Sequence, residues 1–258
     1  MKLTVLDEVA STNEVVKNAL REGKAEGLIV RARRQSSGYG RQGREWDSPE
    51  GGLYMSILLR PDVAGSGLAT LSLVVGLSVQ RALGQVAAPQ FEDGIQVKWP
   101  NDVIYMPADC ERADEYRKLC GISLEACGGG VCVGIGINVC QRRGDFLPEL
   151  RETAASLSMI AGAEMDRTAL ETAFLEELES LRQELPQETA ERRQEYSAAC
   201  LNLGRRVRVL RPDGERSALA VSLTPDYGLA VRYDDGTEEV LRSGEVSVRG
   251  LYGYTDKE

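Results

Sequence analysis

The chain has 258 residues, 42% of them apolar, which is enough for a sizeable core in one or two domains. Its net charge of −9 weighs against nucleic acid as a main partner, because phosphate binding needs a basic footprint. It has no histidine, which excludes Ser-His-Asp and Cys-His catalysis and any histidine-ligated metal, and favours chemistry run by positioning and charge, such as phosphoryl or adenylyl transfer.

Leu3–Leu6 reads as a short strand. Ser11 and Glu14 fit a capping box, Val15, Val16, Ala19 and Leu20 form one helical face, and Gly23 suits the helix end. Ser11 and Thr12 are ordinary cap residues, although two hydroxyls and an amide there also suit a polar ligand head. Leu28–Ala32 reads as a strand leading into Gln35-Ser36-Ser37-Gly38-Tyr39-Gly40-Arg41-Gln42-Gly43-Arg44-Glu45-Trp46. Glycine lets a ligand approach the backbone and arginine offers a charged fork, so this stretch reads either as a clamp for an anion or as a solvated turn. Gly38, Gly40 and Gly43 match G-x-G-x-x-G, but Pro49, Gly51 and Gly52 break any following helix, so it is not a dinucleotide fold; without G-K-[ST] it is no P-loop.

Gly52–Leu59 reads as a strand and Leu68–Leu83 as a helix packed on a sheet, ended by Gly84. Pro100 bends Val97–Ile104 between two strands, with Asn101 and Asp102 at the bend. Those two are either turn residues or, functionally, a carboxylate and amide for Mg²⁺ or a nucleotide. Pro107–Tyr116 is a polar, exposed loop. Arg117–Ala126 and Val131–Val139 form a hairpin turning at Cys127–Gly130. On its second strand Val131, Val133, Ile135, Ile137 and Val139 share a core face, whereas Gly134, Gly136 and Asn138 leave the other nearly bare. Bare backbone in a strand marks close approach of a ligand or of a neighbouring element.

Gln141–Glu149 reads as a polar loop. A helix capped by Thr168 and Glu171 follows, with Leu170, Phe174, Leu178, Leu181 and Leu185 as its stripe, and another spans Glu188–Cys200. From Asn202 short strands alternate with turns: Arg205–Leu210, Ala218–Leu223, Leu229–Tyr233, Glu238–Leu241 and Val246–Arg249. Their spacing suggests a small antiparallel barrel, with a domain boundary near residue 201. The six cysteines, at 110, 120, 127, 132, 140 and 200, form no C-x-x-C pair and read as buried free thiols of a reducing cytosol. No apolar run reaches membrane-spanning length and Met1–Glu8 lacks a signal peptide's apolar region, so a cytoplasmic location is expected.

Ser11-Thr12-Asn13, Gln35 through Trp46, Lys98-Trp99-Pro100-Asn101-Asp102, Arg117-Lys118-Leu119 with Gly121 and Glu125, and Gly134-Ile135-Gly136-Ile137-Asn138 resemble, in order and spacing, the biotin–protein ligases. The resemblance covers nearly the whole chain. Ser11 comes too early to leave room for the N-terminal DNA-binding domain that some members carry, so the form lacking it is expected. The resemblance implies an α+β fold: a mixed β-sheet with helices packed on it, of the class II synthetase/biotin-ligase kind, in residues 1–201, and an SH3-like β-barrel in residues 202–258. It also implies two half-reactions. Biotin's carboxylate attacks the α-phosphate of MgATP to give biotinyl-5′-AMP and pyrophosphate. A lysine of a biotin carboxyl carrier protein domain, part of a biotin-dependent carboxylase, then attacks the acyl carbonyl and releases AMP.

Carried over by resemblance, Lys118 and Arg41 are the catalytic residues. Ser11, Thr12, Asn13, Gln35, Gly38, Tyr39, Gly40, Arg41 and Lys118 hold biotin, and Gly121, Gly134 and Gly136 make room for it. Arg41, Arg44, Trp46, Asn101, Asp102 and Asn138 serve the nucleotide, Trp46 packing on adenine and Asp102 reaching Mg²⁺, which arrives with ATP as a substrate complex. Tyr39 and Gln42 depart from the family's loop, which often carries Arg at both places, and Pro107–Tyr116 is longer than in compact members. No nucleic-acid or membrane partner is expected, and the chain should be a monomer or weak homodimer. The alternative reading is a lipoate or octanoate ligase of the related fold; a biotin-sensing repressor and an inactive binding protein are disfavoured.

Overall fold

The computed structural model describes residues 1–61, 67–87, 91, 94–107, 116–183, 190–211, 214–242 and 247–250. Seven strands make the main sheet: β1 (Lys2–Val9), β2 (Leu28–Gln35), β3 (Leu53–Leu59), β4 (Ile95–Lys98), β5 (Asp102–Tyr105), β6 (Arg117–Cys127) and β7 (Gly130–Ile137). They lie in the order β1-β2-β3-β7-β6-β5-β4, with β1 and β2 parallel and every other pair antiparallel. The parallel pair is joined by helix α1 (Thr12–Arg21). The described residues also form helices α2 (Gly67–Val86), α3 (Leu157–Ala161), α4 (Arg167–Gln183) and α5 (Ala190–Ala199). A second, antiparallel sheet holds β8 (Arg206–Arg211), β9 (Gly214–Leu223), β10 (Leu229–Tyr233), β11 (Glu238–Leu241) and β12 (Ser247–Gly250), in the order β11-β10-β9-β8-β12. This is the mixed sheet with helices that the family resemblance implies, with the small C-terminal β unit that the strand spacing suggests.

The alternation on β7 sorts the two faces. Val131, Val133, Ile135 and Ile137 enter the main core with α2 and α4 side chains, whereas Cys132 belongs to a smaller cluster under Val16, Ala19 and Leu20 of α1. The face that carries α1 therefore also carries Gly134 and Gly136. The hairpin turn uses Gly128 and Gly129, both at positive φ (54° and 69°). Burial of α2 goes beyond one stripe, because α4 covers the side turned away from the sheet: Leu73, Val74 and Leu77 are buried along with Leu71, Val75, Val79 and Leu83. Gly84 lies inside this helix, which runs on to Val86. The second sheet shares the main core, and its junction is hydrogen-bonded: Trp99 N donates to Asn202 Oδ1 (2.8 Å) and Trp99 Nε1 to the Tyr227 carbonyl (3.1 Å).

Several local expectations are corrected. Ser11 makes no side-chain cap bond; the Thr12 N–H is satisfied instead by Gln35 Oε1 of β2 (2.8 Å), and Glu14 is drawn to Lys17 and Tyr39. Helix α4 is capped by Asp166, whose Oδ1 accepts from Thr168 N (2.8 Å) and Ala169 N (3.2 Å), while Glu171 is buried against Arg31 (2.5 Å). The segment after β7 is more than a polar loop. Gln141 and Phe146 are buried, and Ser156 caps α3, a helix the sequence pattern did not announce. Gly23 does close α1: its N–H reaches the Leu20 carbonyl and that of Lys24 reaches Ala19. Residues 108–115, Cys110, Leu185 and 188–189 lie outside the described residues, and nothing is described of the Leu181 side chain. Cys120, Cys127, Cys132, Cys140 and Cys200 are free, and burial pushes the Cys132 thiol up to about 12.

Candidate active site

A cleft of about 320 Å³ opens on the α1 face, floored by β6 and β7. The strand register sets its long axis. Ser123 pairs with Gly134, Gly121 with Gly136, and the Asn138 N–H donates to the Leu119 carbonyl. From Ser123 to Leu119 is about 13 Å at the ~3.3 Å rise of a strand residue.

One end is built of hydroxyls and amides. Asn13 Nδ2 donates to Ser123 Oγ (3.2 Å) and to Glu125 Oε1 (3.3 Å). Ser56 Oγ lies 2.7 Å from Thr12 Oγ1 and 2.6 Å from Asn13 Oδ1. Gln35 Oε1 also accepts from Thr12 Oγ1 (3.0 Å), and Gln35 Nε2 donates to Ser48 Oγ (3.0 Å). Gln35 thus holds α1 and the loop together. Gly134 stays bare because a Cβ there would meet Asn13 Oδ1 at 2.2 Å and Ser123 Oγ at 2.6 Å.

The middle of the floor is covered by Trp46. A Cβ on Gly136 would stand 2.4 Å from its Nε1, and one on Gly121 would stand 2.7 Å from its Cζ3. The bare strip therefore seats the chain's own indole, whose Nε1 is buried with no hydrogen-bond partner among the described residues. Gly38 is the one expected site residue that does not line the cleft. It is buried against Ser48 Oγ, the Trp46 carbonyl and Gln35 Nε2, so its small size lets the arms of the loop close on each other. Those arms form a short hairpin: Tyr39 bridges Glu45, the Gly40 N–H donates to the Arg44 carbonyl (2.8 Å) and the Trp46 N–H to that of Gly38 (2.9 Å). Gln42 and Gly43 turn its tip at positive φ (57° and 68°).

The far end gathers charge. Lys118 Nζ meets Asp102 Oδ1 at 2.8 Å and lies 5.1 Å from the Trp46 ring centre. Arg41 Nη1 donates to Asn101 Oδ1 (2.9 Å), and Asn101 Nδ2 donates to the Ile122 carbonyl (3.0 Å). Burial pushes the Asp102 carboxyl up, but Lys118, Lys98 and Arg41 outweigh it and hold the group below the usual carboxylate range. Burial lowers Arg41 somewhat; Asp102 opposes that and Arg44 adds to it. Asn138 Nδ2 donates to the Lys118 carbonyl (3.3 Å), and Asn138 Oδ1 accepts from Gln141 Nε2 (3.3 Å). One half-buried carboxylate thus faces three cations, which leaves a surplus of positive charge aimed at an anion. This donor set does not suit a resident metal. No group of three Asp, Glu or Cys side chains that could ligate an ion occurs among the described residues, and Asp102 is occupied by Lys118.

Sequence reasoning missed Ser56, Ser123 and the wall made by Tyr116, Phe146, Leu150, Thr153 and Ala154. Ser56 left a trace, as the one small polar side chain inside the apolar run Leu53–Leu59. Lys98 stood inside a marked segment without a role; its Nζ donates to Tyr116 Oη (3.1 Å) at the cleft.

The model of the biotin/lipoate A/B protein ligase family matches residues 5–140, and the chain belongs to that family. Relatives within the family include biotin–protein ligases. The biotin–[acetyl-CoA-carboxylase] ligase of Mycobacterium tuberculosis is 30% identical over 253 residues, covering 95% of this chain and 88% of that protein. The biotin protein ligase of Aquifex aeolicus, solved in complex with biotin and ATP, is 33% identical with a TM-score of 0.81, covering 96% of this chain and 98% of that one. The bifunctional ligase/repressor BirA of Bacillus subtilis is 34% identical over 170 residues, 64% of this chain; the match spans about half of that relative's length (48%).

Proposed function

We propose that this chain is an ATP-dependent biotin–protein ligase: it activates biotin as biotinyl-5′-AMP and transfers the acyl group to a lysine of a biotin carboxyl carrier domain. The observation that carries this reading is the polarity of the cleft. Neutral donors and acceptors stand at the Asn13–Ser123 end, suited to a ureido head, and the cations stand at the other, suited to a carboxylate meeting a phosphate. Biotin laid along the cleft, head at the Asn13–Ser123 end and tail passing Trp46, brings its carboxylate to Lys118, whose ammonium neutralises charge that builds as the carboxylate attacks the α-phosphate. Arg41 offers a second cation from the loop, and Arg44 stands beyond it on the rim. Trp46 supplies an aromatic surface for the purine, with Asn101 and Asn138 as polar edges. ATP arrives as its magnesium complex. No protein nucleophile is required, in keeping with the missing histidine. We read residues 1–201 as the catalytic unit and 202–258 as a barrel that buttresses it through Trp99.

The test is the intact mass of an apo-carrier domain after incubation with this protein, MgATP and either biotin or lipoate. A gain of one biotinyl group with biotin alone is expected. A gain only with lipoate, or none with either, overturns the reading.

A further inference from the structure

The loop that carries Arg41 is tied to α1 by one of its own side chains, Tyr39. Tyr39 Oη donates to Glu14 Oε1 at 2.6 Å, and Lys17 Nζ lies 5.2 Å from the Tyr39 ring centre. Lys17 is itself held by two carboxylates, Glu14 (2.7 Å) and Glu125 (2.9 Å), and its side chain is only 13% exposed. Glu125 in turn accepts from Asn13 Nδ2 (3.3 Å), which also donates to Ser123. A continuous polar chain thus runs from the hydroxyl end of the cleft, through Glu125, Lys17 and Glu14, to the stem of the loop. The opposed charges offset one another along it, so its members stay fixed although several are partly buried. Burial and the bond to Glu14 push the Tyr39 phenol up to about 12, so it remains a donor through the physiological range.

We infer that Tyr39 is a positioning residue: its phenol latches the stem of the loop to α1, so that the loop pivots at its tip, Arg41–Gly43, and delivers Arg41 to the cleft from a fixed base. The inference rests on the ligase reading for what Arg41 is delivered to, but the latch is physical and has its own readout. A free hairpin closed only by the two backbone hydrogen bonds that make its one β-bridge would open as a unit. One charge-assisted hydrogen bond from a side chain in the middle of the stem opposes that opening. Among the described residues the tip makes no equivalent hydrogen bond to α1; Arg41 bonds across the cleft to Asn101 instead.

The test uses Tyr39→Phe, which keeps the ring and removes the hydroxyl, and Glu14→Gln, which keeps an acceptor and removes the charge. Amide hydrogen exchange of the protein without ligand is read at Gly40 and Trp46, whose N–H groups close the stem. Tyr39→Phe should speed their exchange about tenfold, the loss expected of one such bond, Glu14→Gln should speed it by less, and β7 amides should be unchanged. With biotin and MgATP, Tyr39→Phe should raise the biotin KM in pyrophosphate exchange by about five- to tenfold while kcat stays within about twofold. Stem exchange within twofold of the parent in Tyr39→Phe overturns the latch, and faster stem exchange with an unaltered biotin KM overturns the positioning role. Should Tyr39→Phe fail to fold, Glu14→Gln decides alone by the same two readouts. Absence of pyrophosphate exchange in the parent protein strikes the ligase reading and leaves the stem measurement standing.

Discussion

Replacing Gly136 with alanine puts the seat of Trp46 to the test. The added Cβ would lie 2.4 Å from the indole Nε1, 2.6 Å from Cε2 and 3.0 Å from Cζ2, whereas ordinary contact begins near 3.4 Å. Something must move by about 1 Å. The strand has little freedom, since Gly136 is paired with Tyr54 of β3 on one side and Gly121 of β6 on the other. The indole stands on a loop and is only half-buried, so it is the part that yields, into the space where a ligand must lie. Overpacking of this size costs about 1–3 kcal/mol, and a misplacement of ~1 Å in a reacting complex costs up to about 10²-fold in rate. We expect kcat/KM for biotin-dependent pyrophosphate exchange to fall by about 10- to 100-fold, with the thermal midpoint lowered by about 2–12 °C, at the low end if the strain relaxes at the surface. The assay is exchange kinetics beside a melting curve. A folded Gly136→Ala protein with kcat/KM within twofold of the parent would show that the glycine is not there for Trp46.

Lys118→Gln should slow exchange by about 10²–10³, as for loss of one transition-state donor; near-normal exchange in a folded variant removes Lys118 from the chemistry. Arg41→Gly should still form adenylate but release it early, so that an unrelated lysine-rich protein becomes biotinylated; an unlabelled bystander with adenylate retained refutes that role. Gly76→Ala fills space inside α2, where the new Cβ would meet Ile122 Cδ1 at 3.7 Å. It should stabilise by about 0.5–1 kcal/mol in chemical denaturation, and a loss of stability would mean the core there is already full. The carboxyl of Asp102 is depressed in the folded state, so its ion pair contributes stability above the ordinary carboxylate value, near 4, and loses it as pH falls through the lower folded value. Asp102→Asn should therefore lower the midpoint at neutral pH and flatten its fall below pH of about 4; superimposable acid limbs would show that the pair is not stabilising.

Much of the frame was legible in residue order, because it depends on short-range geometry. Period-two alternation of Val131, Val133, Ile135 and Ile137 follows from the pleat, the turn at Gly128 and Gly129 from their positive φ, and the end of α1 from Gly23. The clustering of Ser11–Asn13, Gln35, Arg41, Trp46, Asp102, Lys118 and Asn138 at one cleft agrees with the segments marked along the chain. The purpose of individual side chains was not legible. Glu14 and Glu171 each match a local capping pattern, yet each is claimed by a group brought from elsewhere, Tyr39 and Lys17 for the first and Arg31 for the second. The glycines of β6 and β7 read as room for a ligand, but the nearest occupants are Asn13 and Trp46 of the same chain. The reason is the sheet order: placing β7 between β3 and β6 brings Gly134 beneath α1 and Gly136 beneath the loop after β2, across sequence separations that no local period encodes.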